Sequence, residues 1–262
     1  MVALIGRLEL VSGGEISHPW DANAYLISGD EPVLIDCGGS EGYPALARNL
    51  RHLGYEPQDV KKVLATHGHW DHLAAMARMR GESEAALYVH AADREQVETG
   101  DHDLTASFLY DRPFPPAEVN GLLEDGDEFV AGGYRFHVIH TPGHSPGSVS
   151  FWAEIEGSRV LIAGDALWGG FHPRIRSDLD DWSNSLDRML ALDIDVMTFG
   201  HGPSTLTPGA GLKDARRQLG VYFNPWFEPS SARSTARSSR GRVGSTSRAL
   251  THRRERPTAS AS

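Results

Sequence analysis

The stretch "LATHGHWDHLAAM", Leu64 to Met76, places three histidines and an aspartate within six residues, directly behind an apolar run. It is the tightest constraint in the chain on what the chain can fold into. A polar side chain in a core strand costs free energy unless it is partnered, and a helix start uses at most one capping side chain. A core strand would avoid such a cluster and a helix start does not need three imidazoles, so what it requires is sought in the rest of the chain. After a strand the backbone is extended, so His67 and His69, two residues apart, face the same side and can share one metal ion. Asp71 and His72 come where the chain turns into a helix. Asp71 is favoured there by the helix dipole. The two point differently and can address a second, neighbouring ion. Gly68 leaves room for a tight approach. Imidazole with carboxylate suits Zn²⁺, Fe or Mn better than Ca²⁺.

The partners follow later in the chain. "HTPGHSPG" sets His144 in a Gly/Pro-rich loop after a strand, "LIAGDALW" sets Asp165 behind an apolar strand, and "TFGHGP" sets His201 in a Gly-flanked turn after another. Each is a ligand-type residue at a strand end, where a rigid scaffold presents functional side chains. The elements around them alternate. "LIGRLELV", "NAYLIS", "PVLID", "VKKVLAT", "ALYVH", "YRFHVIH", "SVSFWAEI", "RVLIAGD" and "DVMTFG" read as strands. "GYPALARNLRHLG", "HLAAMARMR" closed by Gly81, "LDDWSNSLDRMLAL" and "GLKDARRQLG" read as helices, and residues 91–118 as mixed. This order predicts a layered α/β or α+β domain with helices outside.

With these residues in view, the chain resembles the metallo-β-lactamase superfamily: "THGHWDH", "TPGHSPG", "GD" and "GHGP" occur in that order. The resemblance covers about residues 1–220. It implies an α+β fold, an αββα sandwich of two mixed sheets with helices on the outer faces and metals at one edge between the sheets. It also implies ligand roles: His67, His69 and His144 on one metal, Asp71, His72 and His201 on the other, and Asp165 bridging. Asp36, in "LIDCGG", would support the ligands from behind. The implied cofactor is Zn²⁺, two per chain, with Fe or Mn as alternatives. The implied chemistry is hydrolysis by a hydroxide bridging the metals, with Asp71 and Asp165 as catalytic residues. The motifs are most similar to the glyoxalase II (hydroxyacylglutathione hydrolase) type, which points to a small-molecule ester or thioester. "FGHGPST" stands where those enzymes carry a C-G-H-E-Y-type segment. The alternatives are a lactonase of the acyl-homoserine-lactone type or a phosphoric-ester hydrolase. A one-iron persulfide dioxygenase or an RNA-processing factor fits less well.

Substrate contacts are sought beside the motifs. Residues 102–118, with Phe108, Tyr110, Arg112 and Phe114, could form a lid, or their aromatics could simply pack on the core. "WGGFHPRI" follows Asp165 closely, so Trp168, His172 and Arg174 are pocket-wall candidates along with Tyr110. Trp70 could pack under its loop or edge the pocket, and His90 reads as a strand-end histidine with a structural hydrogen bond. His18, His52, His102, His137, His140 and His252 match no metal position.

Charge bounds the partners. The net charge is −10, and residues 230–262 hold eight Arg against one Glu, so they carry about +7 and the remainder about −17. The acidic body disfavours nucleic acid, whose binding depends on phosphate neutralisation. Two regions are expected: a hydrolase domain over residues 1–229 and an Arg/Ser-rich disordered tail over 230–262, which lacks the apolar residues to offset its ordering entropy. No apolar run reaches the roughly 20 residues of a membrane span. The N-terminus lacks a signal-peptide pattern, and the single cysteine, Cys37, fits a reducing compartment, so a cytoplasmic location is expected. Nothing in the sequence bears on oligomeric state.

Overall fold

The computed structural model describes residues 2–167, 169–203 and 208–219. The expected tail and Trp168 lie outside them. The elements run β1 (Val2–Ile5), β2 (Leu8–Ser12), β3 (Ala24–Ile27), β4 (Val33–Ile35), α1 (Tyr43–His52), β5 (Lys62–Leu64), α2 (Trp70–Leu73), α3 (Met76–Glu82), β6 (Ala86–His90) and α4 (Ala91–Thr99). They continue with β7 (Gly121–Leu123), β8 (Glu128–Ala131), β9 (Tyr134–His140), β10 (Val149–Ile155), β11 (Ser158–Ile162), α5 (Leu179–Leu190), β12 (Val196–Thr198) and α6 (Pro208–Gln218). Two mixed sheets form, ordered β1-β2-β3-β4-β5-β6-β7 and β12-β11-β10-β9-β8.

Period-two alternation explains the layers. In β3, Tyr25 and Ile27 face the other sheet while Leu26 faces helices. In β4, Val33 and Ile35 do the first and Leu34 the second. The second sheet mirrors this: Val160 and Ile162 of β11 turn inward and Leu161 outward. Both faces of the central strands are therefore apolar, which is why "VLI" and "VLI" again read as unbroken runs. Three apolar layers result. One lies between the first sheet and α1–α4, one between the sheets, and one between the second sheet and α5 and α6. This is the αββα sandwich.

Helix ends follow local chemistry. Asp178 caps α5 by accepting from the amides of Asp180 and Asp181, and Trp182, Ser185, Leu186 and Met189 supply its buried stripe. Two local readings change. "LIGRLELV" is a hairpin rather than one strand, because Gly6 takes a left-handed φ of 53° and the chain reverses there. "HLAAMARMR" is not continuous: Asp71 O accepts from Ala22 N, and Ala75 N donates to Gly38 O, so the rung that would join α2 to α3 is spent on docking two loops. The helix also runs through Gly81 to Glu82.

Strand direction places the ligands. β4 and β5 are parallel, and so are β11 and β12; β10 is antiparallel to both β9 and β11, so β9, β11 and β12 run the same way. Asp36, His67, His144, Asp165 and His201 all follow the C-terminal ends of these five strands.

Candidate metal centre

The structure brings all seven sequence-derived ligand candidates together. His67, His69 and His144 form one group, Asp71, His72 and His201 another, and His67, His72 and Asp165 a third, each with ligand atoms within 4.8 Å of one another. His69 Nδ1 lies 3.0 Å from His144 Nε2. Asp165 sits between the groups: Oδ1 is 3.3 Å from His72 Nε2, while Oδ2 is 3.5 Å from His144 Nε2 and 3.5 Å from His201 Nε2. His201 Nε2 is also 3.1 Å from Asp71 Oδ2. Of the seven, only His201 keeps a substantially exposed side chain, at 42%.

The two carboxylates set the charge of the site. Burial, with the neighbouring imidazoles, pulls His67 and His69 well below the usual histidine range, so both stand neutral. Burial pushes the Asp71 and Asp165 carboxyls up, but His72 and His201 outweigh it and hold both down as anions. Neutral imidazoles and ionised carboxylates are the forms that bind metal. Burial lowers His72 and His201, but the two carboxylates outweigh it and raise His72 well above the usual histidine range and His201 to about 10, so an ion there would displace their protons. The polar accounting agrees. His67 Nε2 is buried without a hydrogen-bond partner, while His72 Nε2 and Asp165 Oδ1 make no hydrogen bond beyond their ion pair at 3.3 Å. A buried orphan costs about 1–3 kcal/mol, and its place among carboxylates fits a divalent cation. The residues present fit divalent metal.

Outer partners fix the rings. Asp36 Oδ2 lies 2.8 Å from His72 Nδ1 and accepts from Thr66 Oγ1 at 2.7 Å, while Oδ1 accepts from Thr66 N at 2.7 Å. Asp36 holds this pose at a left-handed φ of 58°. His144 Nδ1 donates to Gly170 O at 2.9 Å. Gly200 is required by closeness: a Cβ there would meet Asp165 Oδ1 at 1.9 Å.

The substrate candidates divide. Tyr110 stacks on Trp70, with centroids 4.6 Å apart, and burial, together with the field of Asp71, raises its hydroxyl well above the usual phenol range. Residues 102–118 thus partly cover the ligands, yet Phe114 packs in the apolar layer beneath α1–α4. Trp70 is wholly buried and donates Nε1–H to Pro113 O at 3.2 Å. Arg174 pairs with Asp103 and lies 3.7 Å over the Phe108 ring, and His172 contacts the same ring from 5.2 Å. They tie the segment after Asp165 to residues 102–110. His90 caps α4 by accepting from Ala92 N and stacks on His140. Asp93 was missed from the sequence. It is fully buried among the ligand loops, and its signal is an acid three and four residues before the buried Gln96 and Val97 of α4.

Comparison with known proteins agrees with this geometry. The family model described as "Metallo-beta-lactamase superfamily" matches residues 19–201. Probable metallo-hydrolase YqgX of Bacillus subtilis (strain 168) is 29% identical over 193 residues, covering 71% of this chain and 88% of that protein. An uncharacterized protein of Mycobacterium tuberculosis (strain H37Rv) is 32% identical over 224 residues, covering 79% and 92%. Among solved structures, the metallo-β-lactamase GOB-18 from Elizabethkingia meningoseptica superposes with a TM-score of 0.68 at 25% identity, over 84% of this chain and 89% of that one. Among the described residues no helix is long and apolar enough to cross a membrane. Sandwich, strand-end ligands and matched sequence all lead to one assignment: the chain belongs to the metallo-β-lactamase superfamily.

Proposed function

We propose that the protein is a hydrolase that holds two divalent transition metals, zinc foremost, and cleaves a carboxylic ester or thioester of a small molecule. His67, His69 and His144 hold one ion, Asp71, His72 and His201 the other, and Asp165 is shared. The observation that carries this is the carboxylate of Asp165, which turns one oxygen to His72 and the other to His144 and His201. The printed description of YqgX as a probable metallo-hydrolase supports the reaction class.

When bound, such a metal pair lowers the pKa of water from 15.7 to about 7 and polarises the scissile carbonyl. The chain's own groups supply the rest. Asp71, ionised and beside the open His201 edge, can orient a water and accept its proton. The Tyr110 hydroxyl, beside Asp71, can turn its single O–H from that carboxylate to a substrate oxygen. A protein nucleophile is not needed: the buried Cys37 thiol points at Leu73 O from 3.8 Å, and burial pushes it well above the usual thiol range. A thioester suits this arrangement because a thiolate departs with little acid help.

The test is a hydrolysis panel on metal-loaded protein: S-lactoylglutathione, acyl-CoA thioesters, homoserine lactones, a β-lactam and bis-p-nitrophenyl phosphate. A thioester or carboxylic ester is expected to turn over fastest. Cleavage of the phosphodiester alone would overturn the proposed substrate class and leave the metal centre standing.

A further inference from the structure

The first ligand set spans two sheets. His67 and His69 follow β5 of the first sheet and His144 follows β9 of the second, so their mutual spacing depends on what joins the two loops. Asp93 of α4 joins them. Its Oδ2 accepts from Gly68 N at 2.8 Å and from Ser145 Oγ at 3.0 Å, and its Oδ1 accepts from Gly147 N at 2.8 Å. Gly68 lies between His67 and His69, Ser145 follows His144 directly, and Gly147 comes two residues later. One carboxylate therefore holds the backbone between the first two imidazoles and, by a hydroxyl and a backbone N–H, the loop that carries the third.

The grip is close enough to exclude other residues at two of its three partners. A Cβ on Gly147 would fall 2.4 Å from Asp93 Cγ. A Cβ on Gly68 would meet Gln96 Nε2 at 2.6 Å and Asp93 Cβ at 3.3 Å. The carboxylate is fully buried. A buried carboxylate is tolerated where several donors converge on it, and here those donors belong to the ligand loops. Asp36 works differently, on the His72 ring itself.

We infer that Asp93 is the positioning residue of the His67/His69/His144 site, fixing the spacing of the three imidazoles through the backbone of Gly68 and Gly147 and the hydroxyl of Ser145. The inference rests on the two-metal reading above. In Asp93→Asn, an amide –NH₂ replaces one oxygen and faces a backbone N–H or the Ser145 hydroxyl, so at least one grip is lost at nearly unchanged volume.

The experiment is stepwise Co²⁺ titration of metal-free protein, followed by visible absorption. Wild type binds two equivalents. In Asp93→Asn one equivalent weakens about 10–100-fold, the range for lost outer partners of a ligand, while the other stays within about threefold. In a His201→Ala background, which leaves the first set complete, Asp93→Asn weakens that set's equivalent by the same factor. Two equivalents of unchanged affinity, or two weakened equally, overturn the inference, since a merely structural role would not split them. If Asp93→Asn does not fold, Ser145→Ala removes one grip only; it is expected to split the two equivalents several-fold, and an unsplit titration overturns the inference. Fewer than two equivalents in wild type would refute the two-metal reading instead.

Discussion

Asp165→Asn lowers kcat/KM by at least about a hundredfold on whichever ester or thioester proves best. Loss of a ligand's outer partner alone costs about 10–100-fold, and Asp165 stands one step closer, with oxygens facing His72, His144 and His201. The amide removes the negative charge that the site directs at its cations and turns an –NH₂ toward one of them. Volume is nearly unchanged, so the fold should survive, and a circular dichroism spectrum and melt separate loss of site from loss of structure. Steady-state kinetics at saturating metal give the answer. A near-wild-type rate would mean that Asp165 is not shared between two ions.

Trp70→Ala has the largest expected effect on stability. Trp70 sits inside the metal motif yet is 0% exposed, in the apolar layer between the first sheet and its helices. Removing a buried aromatic side chain costs about 3–5 kcal/mol through lost transfer energy and the cavity left behind. Against a total of roughly 5–15 kcal/mol for a domain, that is a large fraction. The stack with Tyr110 and the bond to Pro113 O are lost too, so residues 102–118 lose their seat over the ligands. Urea unfolding of the metal-free protein measures this. A change below about 1 kcal/mol would show that the indole packs less than its burial implies.

The same tryptophan shows what was legible in the chain. "THGHWDH" announced a strand end with ligands, because strand periodicity and residue chemistry are local and survive in one dimension. His144, Asp165 and His201 were found by the same logic, each behind an apolar run. The sandwich followed from strand and helix order with the family resemblance. What escaped depends on distant groups. The break between α2 and α3 is made by Ala22 and Gly38, more than 30 residues upstream of it in both cases. Asp93 escapes because the residues that explain it lie 25 and 54 positions away. Arg174 is open in the sequence between a pocket wall and a salt bridge, and the partner, Asp103, stands 71 residues earlier. Long-range pairing of this kind leaves no periodic trace in sequence.

Whether the seven candidate ligands hold two metals is read from the metal content of the purified protein by elemental analysis, before and after loading with excess zinc. Two separate ligand groups joined through Asp165 predict about two transition-metal ions per chain. A content that stays at a trace, or saturates at one ion after loading, would contradict the account.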